Sequence, residues 1–144
     1  MKGSIDFILR ELKKDDKIIL LSIKPEYSKL ILRGEKTIEL RKAFPKFCTG
    51  YVLIYESRPT KKITCFLKIK KTHIRSIKEL IKFSKKAKVT RTFINEYFRG
   101  KDRGIAIEIE RVFELEEKIP LERLKITPPQ NFRYIRTGEI ACLI

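Results

Sequence analysis

The apolar positions divide the chain into short elements of two periods. Behind Ser4, a residue suited to capping a helix, Ile5, Ile8, Leu9 and Leu12 fall on one helical face. Residues 1–16 therefore read as an N-terminal amphipathic helix, an appendage that docks on the body or on a partner, and 17–144 as the main domain. Lys17 to Lys24 (KIILLSIK) and Tyr51 to Glu56 (YVLIYE) are nearly unbroken apolar runs and predict buried strands. Between them, Pro25 opens a helix through Arg33 with Tyr27, Leu30 and Ile31 on one face. Gly34 stands where such helices end. Lys36 to Lys42 alternates, with Ile38 and Leu40 against Thr37, Glu39 and Arg41.

Further on, Lys62 to Lys71 predicts a strand. Ile63, Cys65, Leu67 and Ile69 lie on one face, and Thr64, Phe66, Lys68 and Lys70 on the other. Helices are expected at Ser76–Phe83 and after Thr90, the second packing Phe93, Ile94, Tyr97 and Phe98, with the basic SKKAK stretch (84–88) as loop or helix tail. Gly104 to Phe113 alternates with Ile105, Ile107 and Ile109 inward. Pro120–Leu124 is a helical turn, and Pro128–Gln130 leads into Phe132 and Tyr134. Short strands interrupted by helices give an α+β class: a small, strongly curved sheet or β-barrel of mixed strands with helices packed at its ends and periphery.

Composition narrows the function. The 144 residues carry a net charge of +16. Residues 58–103 hold +13 of it, against 0 for 1–16, +4 for 17–57 and −1 for 104–144. A block this lopsided predicts one surface that tracks phosphates: Arg58, Lys61, Lys62, Lys68, Lys70, Lys71, Lys85, Lys86 and Arg91. The alternative is a solvated lysine coat. Three cysteines, Cys48, Cys65 and Cys142, form no closely spaced pair, and the chain has one His, His73. Reduced thiols, no metal and no cofactor are expected. The N-terminus lacks a signal-peptide core and the basic block lacks a Trp- and Leu-rich face, so a cytoplasmic protein with no membrane association is expected.

The informative stretch is Ser22 to Arg41, which contains Gly34-x-Lys36-x-x-Glu39-x-Arg41 between a helix and a strand. With YVLIYESRP (51–59), NEYFRG (95–100), GIAIEI, PLERL and PPQNF, it resembles the ASCH domain family of the PUA-like superfamily, in its archaeal and bacterial regulator-like branch. From spacing alone, Glu39 and Arg41 point to one side of a strand, with Lys36 at its start. A carboxylate beside a guanidinium can accept from and donate to a base edge, and an arginine fork can hold a phosphate. A solvated Glu/Arg pair is the plainer alternative.

The resemblance implies an RNA-binding module with a base or nucleotide pocket at Lys36, Glu39 and Arg41. Tyr55 and Ser57 would stand behind them, and Gln130, Asn131 and Phe132 would form the opposite wall. For Tyr55 the alternative is the core, and for PPQN (128–131) it is a turn. One ASCH branch hydrolyses N4-acetylcytidine with a Lys-x-x-Thr pattern; here the residue three after Lys36 is Glu39, and Thr37 faces the other way. The expected function is therefore binding of RNA, or of DNA, with a role in RNA metabolism or in the regulation of transcription or translation. The alternatives are an ASCH-type ribonuclease or amidohydrolase, and an interaction module that uses the N-terminal helix for a partner or a second copy.

Overall fold

The computed structural model describes residues 2–13, 16–45 and 50–141. Seven strands make one mixed, curved sheet: β1 (Lys2–Gly3), β2 (Lys17–Ile23), β3 (Ile38–Arg41), β4 (Tyr51–Glu56), β5 (Lys62–Ser76), β6 (Arg103–Pro120) and β7 (Phe132–Arg136). Among the described residues, six α-helices and one 3-10 turn (Leu121–Leu124) accompany them: α1 (Ile5–Glu11), α2 (Pro25–Leu32), α3 (Ile77–Ile81), α4 (Ser84–Ala87), α5 (Arg91–Tyr97) and α6 (Thr137–Ala141). The strand order is β7-β2-β4-β5-β6, and β6 carries β1 and β3 on its far edge. The α+β class and the curvature match the expectation. The barrel does not close by backbone pairing, because β3 and β7 at the opposite edges share no ladder.

The unbroken apolar runs are strands covered on both faces. On β2, Ile18 and Leu20 pack under α1 and α6, while Ile19, Leu21 and Ile23 pack under α2. On β4, Tyr51, Leu53 and Tyr55 share the first core, and Val52 and Ile54 the second. A third cluster joins Ile38, Leu40 and Ala106 of the sheet to Leu80, Ala87, Ile94 and Phe98 of the α3–α5 cap. Gly104 permits this contact: a β-carbon there would collide with the Phe98 ring and Leu80.

Two expectations about the strands change. Phe66 lies on the face opposite Cys65 and Leu67, as expected, but that face is core as well and the ring is fully buried. The β5 ladder slips between Ile63 and Cys65, so these two residues enter different cores. A bulge of this kind breaks the period-2 rule on which the face assignment rested. Both β5 and β6 run well beyond the spans expected, because they pair with each other from Lys62↔Pro120 to Ser76↔Arg103 even where the side chains are polar. The N-terminal segment packs on the body: β1 pairs with β6, Ile5 is buried, and Phe7 contacts Phe66 and Phe113 while remaining 41 % exposed. Cys65 is a free, buried thiol, pushed up to about 12 by burial. Cys48 and Cys142 lie outside the described residues.

Candidate functional site

A cavity of about 350 Å³ opens where α2, β3, the end of β4 and the start of α5 converge. Its base is the turn and strand after α2. Gly34, at φ +76°, reverses the chain in a conformation that glycine adopts freely. The next residues are then pinned from two sides: Thr37 N–H donates to Lys86 C=O (2.9 Å), and Ile109 N–H donates to Thr37 C=O (3.0 Å). This leaves Lys36 turned inward and 2 % exposed.

The Lys36 ammonium donates to the carbonyl of Ala87 at the end of α4. It also lies 3.3 Å from Glu39 Oε1. Glu39 Oε2 meets Arg41 Nη2 at 3.2 Å, and Oε1 accepts from Leu40 N–H. Burial pulls the Lys36 ammonium below its ordinary pKa; Glu39 opposes that shift and Arg41 adds to it.

Arg41 closes the gap that the ladders leave open. From the edge strand β3, its Nη1 donates to Asn131 Oδ1 (2.9 Å) and its Nη2 to Ser22 C=O on β2 (2.6 Å). Asn131 in turn donates to Ala43 C=O (3.2 Å) and accepts, through its own carbonyl, from Ser22 N–H (2.9 Å). The expected free fork for a phosphate is thus spent inside the protein. Only Nε lacks a partner among the buried guanidinium nitrogens.

The walls are aromatic. Tyr27 of α2 faces Phe93 and Tyr97 of α5: Phe93 stacks on Tyr97 at 5.7 Å and 10°, and lies 6.3 Å from Tyr27. Burial raises both tyrosines above the ordinary phenol value, with Glu39 contributing at each. Beneath α2, buried Glu56 accepts from Ser28 Oγ (2.9 Å) and Thr60 Oγ1 (2.6 Å), which ties the helix bearing Tyr27 to the end of β4. Lys24, Ser22, Ser57, Val89 and Gln130 complete the lining.

The structure brings Lys36, Glu39, Arg41 and Ser57 into one cavity, with Gln130 at its mouth. It does not bring Tyr55: the alternation along β4 sends that ring into the core beneath α1 and α6. Asn131 serves Arg41, and Phe132 packs on Phe44 (6.2 Å) in the second core. Thr37 is exposed and absent from the lining. Tyr27, Phe93 and Tyr97 were legible only as core stripes. The signal that could have found them is three aromatics on two helices flanking the Lys36–Arg41 strand.

The basic block separates into two surfaces. Lys68 and Lys70 on β5 face Glu110 (3.9 Å) and Glu108 (3.7 Å) on β6, since the long ladder sets basic residues against the acidic segment. Glu108 also holds His73 Nε2 at 3.0 Å, and this contact keeps the carboxyl below its usual range. Arg58, Lys61, Lys62 and Lys71 are exposed. Lys85, Lys86, Lys88 and Arg91 are also exposed, beside the cavity wall at Val89 and Phe93, with no carboxylate partner among the described residues.

The ASCH domain family model matches residues 21–123. A protein named "ASCH domain-containing ribonuclease" from Zymomonas mobilis is 26 % identical over 137 residues, 90 % of this chain and 92 % of that one. The crystal structure of ASCH from Zymomonas mobilis superposes with a TM-score of 0.80 at 25 % identity, over 88 % of this chain and 92 % of that chain. The large ribosomal subunit protein uL22 of Ureaplasma parvum is 24 % identical over 121 residues, 82 % of this chain and 39 % of that protein.

Proposed function

This chain belongs to the ASCH domain family, and we propose that it binds single-stranded RNA and takes one base into the aromatic-walled cavity. The observation that carries the reading is three rings, Tyr27, Phe93 and Tyr97, together with exposed Lys85, Lys86, Lys88 and Arg91, which flank Val89 of the cavity wall in the chain and have no carboxylate partner among the described residues. Unstacked bases are taken up on aromatic faces, and phosphates are held by exposed lysine and arginine. The Lys36–Glu39–Arg41 group supports the wall in this reading. It holds α4, β3 and β2 in register and sets the field inside the cavity.

The test is fluorescence anisotropy with short single-stranded RNA and matched DNA at several salt concentrations, using the full chain. Tight, steeply salt-dependent binding to RNA is expected, and no binding at low salt would overturn the reading. The name of the Zymomonas relative motivates a second reading, cleavage of RNA. Glu39 has both oxygens engaged, and His73 sits on β5 between Glu108 and Arg75, outside the cavity lining. A gel of the RNA recovered from the titration separates the two: intact RNA favours binding alone, and fragments favour the ribonuclease.

A further inference from the structure

The base of the cavity has a surplus of hydrogen-bond donors. Glu39 Oε1 already receives Leu40 N–H and Lys36, and Oε2 receives Arg41. The neighbouring acceptors are also taken: Ala87 C=O by Lys36, Ser22 C=O and Asn131 Oδ1 by Arg41. An ammonium has three hydrogens and a guanidinium five. Lys36 spends two and Arg41 three, with Nε unpartnered. The three side chains sum to one net positive charge, in a site where none is more than 13 % exposed.

An aromatic wall alone would attract a cation. Here the protein's own ammonium groups already occupy two of the rings: Lys36 Nζ lies 5.3 Å from the Tyr27 centroid and Lys42 Nζ 4.8 Å from that of Tyr97. A further positive charge would meet like charge in a poorly solvated site. At pyrimidine C4 and purine C6, uracil and guanine present a carbonyl oxygen that accepts, whereas cytosine and adenine present an amine that donates. A buried donor without an acceptor is costly.

We propose that the cavity selects a neutral base by the carbonyl oxygen at pyrimidine C4 or purine C6, uracil or guanine over cytosine or adenine, and rejects bases that carry a positive charge. This rests on the base-pocket reading and names what that pocket discriminates.

The experiment uses the full chain and RNA 9-mers, abasic except at one central nucleotide: uridine, guanosine, cytidine, adenosine or 1-methyladenosine, which is cationic at neutral pH. Anisotropy at one fixed salt concentration is expected to show uridine and guanosine about tenfold tighter than cytidine and adenosine. The 1-methyladenosine oligomer is expected to be no tighter than the fully abasic one. Cytidine or adenosine binding as tightly as uridine and guanosine, or gain from the cationic base, overturns the proposal. If every base improves on the abasic strand equally, the pocket reading survives and the selectivity fails. If no base improves on it, both fail together. Lys36→Gln keeps a donor for Ala87 C=O and removes the charge, so the penalty on 1-methyladenosine should shrink; if that variant does not fold, the wild-type panel decides alone.

Discussion

Replacing Arg41 by alanine removes the side-chain clasp between β3 and β2. The lost contacts are those to Asn131 Oδ1, Ser22 C=O and Glu39 Oε2, made by a side chain only 13 % exposed. Breaking a buried ion pair by deleting one partner costs about 3–5 kcal/mol. Lys36 remains beside Glu39, so the carboxylate keeps a cation and the loss sits at the low end. A destabilisation of about 3 kcal/mol follows, or about 10 °C in Tm for a domain of this size. Arg41→Lys retains the charge but cannot reach three acceptors from one nitrogen, so roughly half the loss is expected. Asn131→Ala combined with Arg41→Ala should show a coupling of about 1 kcal/mol or more, as befits a charged hydrogen bond. Urea denaturation followed by circular dichroism reads Arg41→Ala, Arg41→Lys, Asn131→Ala and the double variant. A loss below about 0.5 kcal/mol for Arg41→Ala, or strict additivity with Asn131→Ala, would refute the clasp.

Other outcomes follow from the same geometry. Lys85→Glu with Lys88→Glu should weaken RNA binding and reduce the magnitude of the salt slope by about 1.4, whereas Lys68→Glu with Lys70→Glu should change it less, because those lysines already face Glu110 and Glu108. Equal effects of the two pairs in salt-dependent anisotropy would contradict the division of the basic block. Gly104→Ala should cost about 1–3 kcal/mol in urea denaturation, since its methyl meets the Phe98 ring and Leu80; an unchanged midpoint would show that the α5 contact yields freely. Lys36, held below its ordinary pKa by burial, binds its proton less tightly folded than unfolded. Wild-type stability should therefore rise relative to Lys36→Gln as pH climbs from that lowered value toward 10.5, and a flat difference in urea titrations would count against the buried ammonium.

The parts of the fold that could be read in advance are those where local chemistry and period agree. Pro25 starts α2 and Gly34 ends it; the alternation around Ile38 and Leu40 marks β3; Thr90 caps α5 by accepting from Phe93 N–H at 3.0 Å. Elements fixed by long-range pairing were not legible. β1 is two residues held only by β6, and the far end of β5 is polar sequence recruited by its partner strand. The bulge near Thr64 sets Ile63 on the face opposite Cys65 and Leu67, which simple alternation does not foresee.

The site divides in the same way. Glu39 and Arg41 share a side because they are two apart on a strand, and Gly34 places Lys36 beside them. The partners that consume the Arg41 fork, Ser22 and Asn131, come from distant segments, as do the three rings of the wall. Charge along the chain was a poor map of charge in space, because β5 and β6 lay the basic and acidic segments side by side.

The central claim is that a base enters between the rings, and Phe93 tests it best because it is 37 % exposed and forms the outer part of the wall. The measurement compares wild type and Phe93→Ala for a uridine-bearing oligomer and its abasic counterpart. Stacking of one base is worth about 1–3 kcal/mol, so the wild type should favour the uridine strand by roughly five- to 150-fold. Phe93→Ala should erase most of that preference while leaving abasic affinity, which rests on the basic rim, unchanged. A wild type that binds both strands alike, or a Phe93→Ala protein that keeps the full preference, would contradict the account.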